Sequence, residues 1–129
     1  MSSIRLPKFS ISDYLLLIDN LRNAGYEFHK VSHLAALGKI AYMRHDIDLH
    51  ISQIDTMAKA EASRGVTATY YVLLTAHYNV LYPDNQRTLQ TIRDLGHEIG
   101  LHYDMETYPL DSEEARRHLD WEVGVLSKA

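Results

Sequence analysis

A chain of 129 residues, 46% hydrophobic and 23% charged, is long enough for one compact domain, and its proportions exclude disorder. Its net charge of −4 and pI near 6.0 leave no basic stripe for nucleic acid and no attraction to an anionic membrane surface. No apolar run approaches the roughly 20 residues of a spanning helix. Cysteine is absent, so disulfides and thiolate ligands are excluded together, and any metal must be held by imidazole and carboxylate. The first residues, Met1 to Pro7, lack the long apolar core of a secretory signal, and a cytoplasmic location is expected.

The chain reads as one unit, residues 1–129. Tyr14, Leu15, Leu17, Ile18 and Leu21 recur at helical spacing between about Ser12 and Ala24, with Gly25 as the stop. A short extended piece is expected at Glu27 to Val31. Lys39 to Asp48 reads as a strand with Ile40, Tyr42, Arg44, Asp46 and Asp48 on one side. Ile51 to Arg64 carries a helical stripe and stops at Gly65. Val66 to Thr75 holds Thr67, Thr69, Tyr70, Tyr71 and Val72, residues that favour a pleated surface, and reads as a buried strand. Pro83 and Asp84 open a helix that runs through Leu95 and closes at Gly96. His97 to Tyr103 is a further strand. Asp111 to Ser127 shows Ala115, Leu119, Val123 and Leu126 on one helical face, with Asp111 and Glu114 at capping-box spacing. Strands and helices in alternation imply parallel strands with helices outside, and chemistry at the strands' carboxyl ends.

Two such ends carry polar clusters. In Arg44-His45-Asp46-Ile47-Asp48-Leu49-His50 the pleat sends Asp46 and Asp48 to the same side. Two buried carboxylates repel, and a cation or a proton is the remedy; the plainer alternative is that both are solvated and one caps the next helix. In Gly96 to Glu106, alternation places Glu98, His102 and Asp104 on one face, with Gly100 leaving room beside them. His97 and Glu98 read as a solvated turn. Consecutive parallel strands would set the first and third about 9–10 Å apart, close enough for an aspartate and a histidine to meet at one ion about 2.0–2.2 Å from each. Oxygen and nitrogen ligands suit Zn²⁺ first, with Fe²⁺, Co²⁺ or Mn²⁺ as alternatives. His29, His33, His77 and His118 read as surface or structural residues.

These motifs resemble the polysaccharide deacetylases with the chitooligosaccharide deacetylase (NodB) homology domain, carbohydrate esterase family 4. The likeness is to the subgroup in which Arg-His-Asp-[Val/Ile]-Asp replaces Thr-Phe-Asp-Asp-Gly. Arg44 to Asp48, Thr69-Tyr70-Tyr71 and Gly96 to Asp104 match it in order, across roughly Ile40 to Tyr103. The resemblance implies a distorted (β/α)7 barrel, of which this chain holds the N-terminal half. It implies removal of acetyl groups from amino sugars of a polysaccharide or its precursor, with Asp46 as general base and Asp48 and His102 as metal ligands. The family's second histidine, four residues after the first, is replaced by Glu106, so Glu106 or Asp104 becomes a candidate third ligand, with Arg44 and His50 as further site residues. Three strong strands cannot close a barrel of seven, and a homo-oligomer that completes it is one expectation.

Two other readings compete. An Asp-x-Asp phosphatase would use Asp46 as nucleophile, but Leu49 and His50 stand where small or hydroxyl residues are usual. A non-catalytic carbohydrate-binding or assembly module would keep the strands without the chemistry. Nine tyrosines suit sugar stacking, although Tyr42 and Tyr70 are expected in the core.

Overall fold

The computed structural model describes residues 10–33, 37–107 and 112–129. Helix α1 (Ile11–Asn23) begins where Ser10, in extended conformation, accepts the Asp13 N–H at 3.2 Å, satisfying one of the unpaired donors of a first turn. Two short strands, β1 (Glu27–Phe28) and β2 (Ile40–Ala41), pair in parallel. The main sheet follows. Strands β3 (Arg44–Ile47), β4 (Thr69–Val72) and β5 (Glu98–Leu101) lie side by side in that order, all parallel, as the alternation of strands and helices predicts. The crossovers are α2 (Ile54–Ser63) and α3 (Pro83–Asp94), and α4 (Ser112–Leu126) follows β5. Pro83 stands at the start of α3, where its missing N–H has no partner to lose. Gly96 follows α3 at φ +91°, a conformation other residues rarely adopt. The described strands form an open arrangement of two sheets.

One expectation fails in the first strand. Lys39 to Asp48 is two strands in different sheets, because the chain leaves β1 after Ala41 and pairs with β4 from Arg44. The single alternation from Ile40 to Asp48 therefore does not hold. Tyr42 sits at the break, exposed, with its hydroxyl donating to the His33 carbonyl, and not in the core. Helix α2 also starts later than its stripe suggests, after Gln53 in left-handed conformation, while Ile51 stays buried as a plug beneath the loop. On α4 the buried residue is Glu122, with Leu126 on the core, and Leu119 and Val123 are exposed. The Asp111–Glu114 cap falls on Asp111, outside the described residues.

The pleat divides the main sheet cleanly. Ile47, Tyr70 and Val72, with Ile99 beside them, face helices α2 and α3 and pack on Ala58, Leu89 and Ile92. Each such side chain taken out of water contributes on the order of 1.5–3 kcal/mol. Within this apolar layer lies a carboxylate. Glu61 of α2 is fully buried, its Oε1 accepting from His45 Nε2 and the Tyr14 hydroxyl, both at 2.5 Å, and its Oε2 from the Tyr70 hydroxyl at 2.7 Å. Because a carboxylate only accepts, the Nε2 of His45 carries a proton. Burial alone would push the Glu61 carboxyl up; the hydrogen bonds from His45, Tyr14 and Tyr70 and the charge of His45 overcome it and hold the group below its ordinary 4.5. Burial next to that charge pushes the Tyr14 and Tyr70 phenols up.

His97 belongs to the same interior and is not in a solvated turn. It is buried, its Nδ1 accepting the Ala68 N–H at 3.0 Å and its Nε2–H donating to the Ala58 carbonyl at 2.8 Å. Those bonds fix a neutral ring, so its 3.7 Å approach to Glu61 is not an ion pair. Glu98 lies on the opposite face, accepting from the Thr69 hydroxyl and the Ser32 N–H.

His45→Ala strands a buried charge and is expected to lower stability by about 3–5 kcal/mol, measured by urea unfolding. The folded Glu61 carboxyl titrates below the unfolded one, so its contribution is present above pH 4.5 and is lost as pH falls through the folded value. Glu61→Gln should start less stable and show a flatter decline as pH falls below 4.5; a decline as steep as that of the wild type would show that Glu61 is not the acid-sensitive group.

Candidate metal centre

The face of the main sheet turned away from α2 and α3 carries the polar residues in tiers. Register sets Arg44, Thr69 and Glu98 in one row and Asp46, Tyr71 and Gly100 in the next. Continued by one step, it sets Asp48, Leu73 and His102 at the carboxyl ends.

In the middle tier the Arg44 guanidinium grips Asp46 as a fork, Nε to Oδ1 at 2.8 Å and a terminal nitrogen to Oδ2 at 3.4 Å. It also lies over the Tyr71 ring, 4.4 Å from the centroid, and the hydrogen bond to Asp46 raises its pKa. Arg44 thus fixes the direction of the Asp46 carboxylate and draws on the ring quadrupole at the same time. Gly100 makes the room. A Cβ there would stand 2.7 and 2.9 Å from two carbons of the Tyr71 ring.

At the strand ends, His102 Nδ1 meets Asp48 Oδ1 at 2.9 Å. Both groups are partly open to solvent, 30% and 51% exposed, a setting in which an ion pair contributes little to stability. The contact joins residues that follow the two outer strands of the three-stranded sheet. It fits two donors of a single ion, since atoms bound at about 2.0–2.2 Å can lie this far apart.

The other candidates do not join the pair. Asp104 Oδ1 accepts the Glu106 N–H at 2.9 Å and its Oδ2 accepts the Thr107 hydroxyl at 2.7 Å. The Thr107 and Glu106 bonds, with the nearby charge of His102, hold the Asp104 carboxyl below its ordinary range. Its role is local, closing the turn after β5. Glu106 is exposed in that turn. His50 Nδ1 lies 3.4 Å from the Ser52 hydroxyl, on the surface. Among the described residues no group of three His, Cys, Asp or Glu side chains converges as a metal site.

Sequence reasoning missed Tyr71 and Tyr78. Tyr71 stood in the strand and the motif, but its place beside the polar residues was hinted at only by Gly100, which marks a close neighbour without naming it. Tyr78 binds the Ile47 carbonyl and the Leu73 N–H through its hydroxyl, and no local pattern announces a contact 31 residues away.

Gly100→Ala should push the Tyr71 ring off Arg44 and lower stability by about 1–3 kcal/mol. Thermal unfolding checks this, and an unchanged midpoint would show that the ring yields freely. No helix among the described residues is long and apolar enough to cross a membrane. No family model, curated protein or solved structure matches the chain.

Proposed function

We propose that this chain carries the aspartate–histidine part of a divalent-metal site in a hydrolase that removes acetyl groups from amino sugars of a polysaccharide or its precursor. The single observation behind this reading is the 2.9 Å meeting of Asp48 and His102, brought from the first and third strands of a parallel sheet to its carboxyl end. The motif resemblance supplies the substrate class. Zn²⁺ is the proposed metal, with Fe²⁺, Co²⁺ or Mn²⁺ as substitutes.

In this proposal Asp48 and His102 would hold the ion, which would supply Lewis-acid polarisation of the acetyl carbonyl. Asp46 accepts the proton of the attacking water as general base. Arg44 keeps the Asp46 carboxylate aimed along the polar face through its two-point grip. The enclosing fold is a distorted (β/α)7 barrel. Among the described strands, β3 and β5 each pair on one side only, and a homo-oligomer that pairs along these edges is the proposed route to closure.

A second reading has an observation of its own. The absence of a third converging donor among the described residues favours a carbohydrate-binding or assembly module that keeps the strands without the chemistry.

Protein purified without chelator and titrated with Zn²⁺ should bind one ion, and Asp48→Asn or His102→Ala should each weaken binding by more than about 100-fold, beyond the effect of losing a supporting partner. Acetate released from acetylated amino-sugar oligomers should fall to background in Asp46→Asn while Zn²⁺ binding persists. Equal metal uptake in wild type and both ligand variants would reject the site. Metal binding and sugar binding without acetate release would select the module instead.

A further inference from the structure

Tyr78 occupies the connection between β4 and α3, half-buried. Its hydroxyl donates to the Ile47 carbonyl at 2.5 Å and accepts the Leu73 N–H at 2.9 Å. The significance lies in where those two groups stand in the ladder. Along β3 and β4 the Thr69 N–H donates to the Met43 carbonyl at 2.9 Å, and the parallel pattern repeats every two residues. Two steps on, the rule calls for Leu73 N–H to the Ile47 carbonyl. The Tyr78 hydroxyl has entered that bond, satisfying both groups and holding them apart by one oxygen atom.

On the other side of β4 the ladder continues unbroken. The His102 N–H donates to the Val72 carbonyl at 2.8 Å, so the backbone that carries the imidazole is tied to the sheet. Asp48 follows Ile47 directly and sits beyond the last residue of β3. Ile47 is the last residue of β3 paired with β4, and its carbonyl, the group next to Asp48, is held by the phenol. Leu73, the residue that register places between Asp48 and His102, is held by the same oxygen. The influence of the Asp48 charge on the Tyr78 phenol, which burial already pushes up, agrees with their closeness.

We propose that Tyr78 is the positioning residue of the Asp48–His102 pair, its hydroxyl inserted between the ends of β3 and β4 so that the aspartate is presented to the histidine. The consequence for metal affinity rests on the reading of that pair as metal ligands; the geometric claim does not. Removing the hydroxyl lets Leu73 N–H and the Ile47 carbonyl bond directly, draws the end of β3 toward β4, and takes Asp48 out of register with His102.

The test compares crystal structures and Zn²⁺ titrations of the wild-type chain, Tyr78→Phe and Tyr70→Phe. Tyr70→Phe removes a buried hydroxyl behind the sheet and serves as the control for lost stability alone. In Tyr78→Phe the Asp48–His102 contact should open and Zn²⁺ affinity should fall about 10–100-fold, the range for a supporting partner of a ligand, whereas Tyr70→Phe should leave both unchanged. A Tyr78→Phe structure that keeps the contact overturns the proposal, and so does equal loss of affinity in the two variants. If Tyr78→Phe does not fold, the wild-type structure decides: Leu73 N–H bonded straight to the Ile47 carbonyl overturns the proposal, and a phenol between them upholds it. Wild-type protein that takes up no Zn²⁺ refutes the metal site, and the Tyr78 claim is then judged on the two structures.

Discussion

A carboxylate with no access to water must find its hydrogen bonds and its counter-charge inside the protein, and Glu61 finds them on three separate elements. Tyr14 comes from α1, His45 from β3 and Tyr70 from β4. None of these residues is near Glu61 in sequence in the sense that a helix turn is; the separations are 47, 16 and 9 positions. Satisfying the acid therefore requires the first helix, the second helix and two strands to be docked together. Apolar packing would tolerate sliding of α2 along the sheet by a fraction of a turn, but the Glu61 knot would not, because a half-satisfied buried charge is more costly than an apolar core. We read the knot as the feature that gives the helix layer a single register.

The two-residue period of β3 carries that constraint through to the opposite face. His45 and Ile47 point to the helices; Arg44 and Asp46, between and beside them, point away. Fixing His45 against Glu61 fixes the rotation of the strand about its own axis, and with it the line along which the polar residues project. Arg44 and the next tier, Asp46, Tyr71 and Gly100, then form a packed unit: guanidinium on ring, guanidinium on carboxylate, and ring over a glycine that leaves it space. The strand ends are less constrained, which is why a loop tyrosine has so much influence there.

Much of this was legible in the sequence, and the parts that were not share a cause. The strand–helix rhythm, the stops at Gly25, Gly65 and Gly96, and the start of α3 at Pro83 follow from local chemistry. The convergence of Asp48 and His102 also followed, because the motifs gave strand positions and parallel order gave their neighbours. Glu61 was hidden among Ala58, Ala60 and Ala62, where a lone acid looks like part of a solvated face. His97 looked like a turn residue because its partners, Ala68 N–H and the Ala58 carbonyl, are backbone groups brought close only by folding. The break at Tyr42 was invisible because the two-residue β2 is too short to show a period of its own, and what changes is the strand it pairs with. Local pattern reports propensity and face, whereas partner identity is a property of the assembled sheet.

The composition of the polar face bears on the proposed closure of the fold. A face turned into a barrel interior loses water, and every ionic group on it must already have a partner or acquire one. Arg44 pairs with Asp46, and Glu98 accepts from Thr69 and from the Ser32 N–H, bonds that with burial opposing them leave its carboxyl below its ordinary range. Among the described residues no buried side-chain nitrogen or oxygen lacks a hydrogen bond. Asp46 and Glu98 therefore keep partners on enclosure, whereas Arg44, with N–H groups beyond its two bonds to Asp46, would need a further acceptor. Asp48 and His102 differ, since a single hydrogen bond between them leaves the other carboxylate oxygen and the other ring nitrogen open to a further partner. In the proposed site a cation would take the facing atoms, Nδ1 and Oδ1, so enclosure would still call for an acceptor at the His102 Nε2–H, and the residue that supplies it belongs with the ligands in fixing metal affinity.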